Sequence, residues 1–237
     1  MAPMLVAFAL SASPASAHQV WIEQKDGGAQ LYFGEFGDNL REVSPGLLDR
    51  FTKLDASLLT NAGPRALTPE KGDKFFALDA KPGKSESIIA AETAYPAFER
   101  KEGEKTIRTV WTPAARYISD FSARTASLAL DIVPTGKIEG GAIEMQVSFK
   151  GEPLPKAKVE VTALSGWART HLTDEAGKFS ITLPWKALYV AEVQHTDKTA
   201  GERAGEKYDA AMYVTSLSFI PAEGLDSPPP PPAAKPN

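Results

Sequence analysis

From residue 143 onward, apolar and polar positions alternate. Ile143, Met145, Val147 and Phe149 share one face of an extended segment. Lys150-Gly151-Glu152-Pro153-Leu154-Pro155 then reads as a turn. Ala157, Val159, Val161 and Ala163 form the next apolar face, with Lys158, Glu160 and Thr162 opposite. After a second turn over residues 173–178, Phe179, Ile181 and Leu183 alternate with polar neighbours, followed by Tyr189, Ala191 and Val193. A last strand is expected at about 211–220. The first half is less regular. Leu31-Tyr32-Phe33, Ile107 to Trp111 and Leu128 to Val133 are short apolar runs, each bounded by Gly or Pro. Leu47, Leu48, Phe51, Leu54 and Leu58 are spaced as a helical stripe, which predicts a short helix near Pro45 to Leu59.

Short strands separated by turns predict a mainly β protein of two antiparallel β-sandwich domains in tandem. Pro134, Gly136, Gly140 and Gly141 cluster where the pattern changes, and place the boundary there. The expected domains are 18–134 and 135–222. Residues 223–237 contain the run Pro228 to Pro232 and read as a disordered, extended proline-rich tail. At the other end, Met4 to Leu10 is a short apolar core, and small residues follow up to Ala15-Ser16-Ala17. That pattern predicts a signal peptide over 1–17, cleaved after Ala17, and hence a periplasmic location. The positively charged segment that usually precedes such a core is missing.

Composition narrows the partners. Lys and Arg number 26 against 30 Asp and Glu, giving a net charge of −4. This balance lacks the basic field a nucleic-acid binder needs. No apolar run of 18 residues exists to span a bilayer as a helix. With no cysteine in 237 residues, disulfides and thiol chemistry are excluded, and the fold must hold through core burial. No G-x-S-x-G nucleophile motif, phosphate-binding glycine loop or recognisable pair of hydrolytic carboxylates is present. The expectation is a binding protein rather than an enzyme.

Two resemblances add to this reading. Gly151-Glu152-Pro153-Leu154-Pro155-Lys156-Ala157-Lys158-Val159 and Thr173-Asp174-Glu175-Ala176-Gly177-Lys178-Phe179 resemble motifs of prealbumin-like, carboxypeptidase-regulatory-like sandwiches. The longer pattern comprises Ala17-His18-x-x-Trp21-Ile22-Glu23, Leu130 to Pro134, Gly166-Trp167, Leu183-Pro184-Trp185 and Tyr208 to Thr215. It resembles a bacterial periplasmic family of unknown function, labelled the nickel uptake substrate-specific region or the periplasmic component of cobalt and nickel transport. The resemblance implies a transition-metal cargo, nickel or cobalt, and a membrane permease or outer-membrane receptor as partner. It also implies a metal-ligating histidine at the mature start.

That histidine is His18. After cleavage its α-amine and Nδ1 would chelate one ion in a single small ring. An amine and an imidazole both yield their protons when a metal ion binds. A second ligand is open between His195, with Asp197 two residues on along the strand, and His171. Glu23 is a weaker candidate, expected to be solvated. Copper held by the same ligands is the alternative cargo, as in a chaperone or, less well matched, a copper monooxygenase. A third class is a metal-free adhesive sandwich whose four tryptophans are core and rim.

Overall fold

The computed structural model describes residues 18–237; the expected signal peptide lies outside the described residues. The chain opens with the hairpin β1 (Gln19–Lys25) and β2 (Gly28–Glu35), and β3 (Leu40–Arg41) turns back on β2. There follow β4 (Leu54–Thr60), β5 (Gly63–Leu67), β6 (Glu70–Lys71), β7 (Phe76–Leu78), β8 (Ser87–Glu92), β9 (Phe98–Glu102) and the long β10 (Lys105–Ile118). The second half runs through β11 (Leu130–Glu139), β12 (Ala142–Phe149), β13 (Glu152–Pro153), β14 (Lys158–Ala163), β15 (Ala168–Leu172) and β16 (Lys178–Ile181). It closes with β17 (Tyr189–Asp197), β18 (Gly201–Arg203), β19 (Glu206–Tyr208) and β20 (Ala210–Phe219). The protein is mainly β, and the described residues contain no α-helix.

The architecture is built on one nine-stranded sheet in the order β15-β14-β17-β20-β10-β8-β4-β5, with β9 attached to β10. Its centre is the pairing of β10 with β20, which is parallel, whereas the other strand ladders are antiparallel. Side-chain parity divides the core between the two faces of this sheet. On one face, Val214, Trp111, Ala115, Ile88 and Leu58 pack with the inner residues of β1, β2 and β7. On the other, Leu217, Phe219, Ile118, Tyr189 and Val193 pack with the inner residues of β11, β12 and β16. A five-stranded sheet (β1-β2-β7-β6 with β3) thus covers one face, and a four-stranded sheet (β11-β12-β13 with β16) covers the other.

Two polar devices fix these layers. Among the described residues no strand neighbours the outer edge of β1, so its backbone needs other partners. Ser218 Oγ accepts from the Ile22 N–H, and Ser216 Oγ donates to the Val20 carbonyl. On the opposite face the Arg116 guanidinium, 1% exposed, forks onto Asp131 at 3.0 and 2.5 Å. The Asp131 carboxylate also accepts from the Ser127 and Leu128 N–H groups. A buried pair satisfied in this way ties the start of β11 to the central sheet.

Three sequence expectations differ from this arrangement. The boundary near Pro134 to Gly141 falls within β11 and its turn into β12, and the central sheet runs unbroken through both halves. The Pro and Gly cluster serves a register shift between Pro134 and Ile138. The helix expected near Pro45 to Leu59 is a single 3₁₀ turn, Leu47–Arg50, followed by β4. Leu54 and Leu58 fit a strand period as well as a helical one, and pairing with β5 and β8 decides for the strand. The proline-rich segment also follows a defined path. Leu225 donates its N–H to the Pro184 carbonyl and accepts from the Lys186 N–H. Farther on, the Asn39 side chain donates to the Pro231 carbonyl at 2.9 Å. Prolines carry carbonyls without competing N–H groups, so such acceptors are available.

Candidate functional site at His18

His18 immediately precedes β1, whose position is set by the two serine contacts and by pairing with β2. Its ring lies 5.0 Å from the Phe33 ring, and its side chain is 23% exposed. Both imidazole nitrogens face carboxylates. Nε2 is 2.6 Å from Glu42 Oε1, and Nδ1 is 3.4 Å from Glu35 Oε1. Glu35 ends β2, and Glu42 follows β3 with its N–H donated to the Phe33 carbonyl at 2.8 Å. The β2–β3 hairpin therefore delivers both carboxylates to the histidine.

Glu42 is fully buried, and a buried carboxylate requires donors. Besides His18 it receives the C-terminal segment. The Asn237 N–H donates to Oε2 at 3.1 Å, and the Asn237 carboxamide donates to Oε1 at 2.9 Å. The same carboxamide nitrogen is 3.4 Å from His18 Nε2. The proline-rich segment is thus part of the site's wall.

Chemically, a 2.6 Å N···O contact holds one shared proton, leaving the imidazole oriented with its Nε2 toward Glu42. The Nδ1 edge is wider. Two donor atoms bound to one ion by bonds of about 2.1 Å stand about 3.4 Å apart at a tetrahedral angle. The Nδ1···Glu35 spacing has that value. Among the described residues, no group of three or more His, Asp or Glu side chains is placed to hold a metal ion. The side chains here that could offer an ion two donors are His18 and Glu35.

The other histidines lie elsewhere. His195 pairs with Tyr213 on β20, and its ring contacts Phe149 at 4.4 Å. Val214, next along β20, lines the cavity beside His18 and so points the other way. His18 and His195 therefore sit on opposite faces of the central sheet. His171 is opposite Val159 on β15, with its ring 5.7 Å from Phe179, on the same face as His195. Burial lowers the basicity of both His171 and His195. Asp197 shares the face of His195 but is engaged by Lys150 at 2.7 Å and by the Thr199 N–H. Those donors hold its carboxyl well below the usual range. Glu23 is buried rather than solvated. Its burial acts to raise the pKa, but donors from Lys25, Trp21 and Arg41 outweigh it and leave the group ionised. Sequence reasoning did not reach Glu35 and Glu42, because no motif spacing joins them to a histidine 17 or 24 positions away; the β2–β3 turn does.

Residues 15–197 match the family model described as Domain of unknown function (DUF4198). The chain belongs to the DUF4198 family. The DUF4198 match takes in His18, Glu35, Glu42 and both other histidines, and it stops short of β20 and the proline-rich segment. No curated protein matches the chain. No helix among the described residues is long and apolar enough to cross a membrane.

Proposed function

We propose that this DUF4198 protein binds a transition-metal ion, nickel or cobalt, outside the cytoplasm and passes it to a membrane permease or outer-membrane receptor. The observation that carries the reading is the oriented His18 imidazole. Glu42 takes Nε2, which leaves Nδ1 facing Glu35 at a metal-compatible spacing. Cleavage after Ala17 would free the α-amine, which reaches a metal on Nδ1 through one small ring. Amine, Nδ1 and Glu35 carboxylate then make three donors, and Glu42 is the carboxylate behind the ligating imidazole. The Ala17-His18-x-x-Trp21 motif and the wider resemblance to nickel and cobalt uptake proteins support the choice of ion. Residues 135–222, through the motifs at 151–159 and 173–179, carry the resemblance to prealbumin-like sandwiches and serve as scaffold.

The test compares protein beginning at His18 with protein carrying one extra residue before it. Each is titrated calorimetrically with nickel, cobalt, copper and zinc at neutral pH. The first binds nickel or cobalt and the second does not. Glu42→Gln weakens the first protein's binding by about 10–100-fold. Preference for copper would reassign the same ligands to copper handling. Absence of binding in both proteins would overturn the reading and favour a metal-free adhesive sandwich.

A further inference from the structure

Beside His18 lies a cavity of about 410 Å³, within the range of small-molecule sites. Phe33, Tyr95, Trp111, Met212 and Val214 contribute to its apolar wall. The aromatic members are locked against one another. Tyr95 and Trp111 meet edge-on at 4.7 Å, and Phe33 lies 5.9 Å from Trp111. Such a wall is formed before any ligand arrives.

The His18 ring lines the cavity with its nitrogens turned to Glu42 and Glu35, and the other polar residues there are Arg50, Tyr95 and Trp111. Arg50 lines it, is exposed, and forms no ion pair among the described residues. Tyr95 is only 9% exposed, and its hydroxyl has no hydrogen-bond partner among the described residues. The Trp111 indole N–H is buried and also unpaired. No aspartate or glutamate lines the space. An apolar wall with an unpaired arginine and a tyrosine hydroxyl, and with no carboxylate among its lining residues, matches a ligand with an apolar body and a negative end.

We propose that this cavity binds a small amphipathic carboxylate, its aromatic or branched body against Phe33, Trp111, Met212 and Val214 and its carboxylate held by Arg50 and the Tyr95 hydroxyl. Trp111 forms wall and reporter rather than anchor, since its N–H is closed off from solvent. His18 lines this cavity as well as holding the proposed metal, so binding is read on metal-free protein.

The experiment uses EDTA-treated, metal-free protein labelled with ¹⁵N, and 3-phenylpropionate as probe. Trp111→Phe assigns the Trp111 indole resonance among the four tryptophans. Saturable movement of that resonance is expected, with the carboxylate bound about tenfold more tightly than neutral 3-phenylpropanamide. Arg50→Gln, at an exposed position where the fold is not at risk, removes that preference, and Tyr95→Phe reduces it. No movement at millimolar probe would overturn the proposal, as would equal binding of the amide. A carboxylate preference untouched by Arg50→Gln would overturn it too.

Discussion

Glu192 on β17 sits directly opposite Glu160 on β14. Burial pushes the Glu192 carboxyl up to about 8, and the like charge of Glu160 adds to it. In an unfolded chain the same group titrates near about 4.3. Between those values the folded state binds the extra proton, so stability falls as pH rises through that window and levels off above about 8. Thermal melts of the native chain should show this decline. Glu192→Gln, which mimics the protonated acid, should remove it and melt higher than the native chain at pH 8. A parallel decline in the variant would place the effect elsewhere. At this scale the sequence is informative where a residue's partners are local. His18 stands out through its motif, and Asp197 shares a strand face with His195. Glu42 and the Lys150 that occupies Asp197 are invisible, because both meet their partners through tertiary packing.

The elements that matter most to the site are β1 and the proline-rich segment. Strand alternation made most of the second half legible, since a period of two survives wherever one face is buried. The Pro45 to Leu59 stripe was misleading because leucines four apart satisfy both periods. The proline-rich segment gave no packing signal at all, since its contacts are made by backbone carbonyls and by Asn237. Residues 227–237 contribute nothing to the buried core clusters. Removing them should leave the melting temperature nearly unchanged while stripping Asn237 from Glu42 and His18. Stopped-flow mixing with nickel should then show faster association than in the full chain. An unchanged rate would show that the segment does not restrict access.

For the whole molecule, two sandwiches in tandem were a natural reading, because each half has its own apolar alternation. What no local pattern shows is that β10 and β20, about a hundred residues apart, lie side by side in register. The halves share one sheet, and each face of it carries a separate core. A fragment of residues 18–134 would keep β10 but lose its parallel neighbour, leaving Trp111 and Ala115 without Val214. Such a fragment should give poorly dispersed amide resonances and aggregate; a well-dispersed spectrum would show the first half to be autonomous.

This pairing also sets a timetable for the growing chain. At about 5–20 residues per second, roughly 5–20 s pass between the appearance of β10 and that of β20. Throughout that interval one edge of β10 has no partner, and an open edge invites pairing with other chains. One core waits for Val214 and the other for Leu217 and Phe219, all on β20, so the nascent chain spends its synthesis as an unfinished sheet in need of shielding.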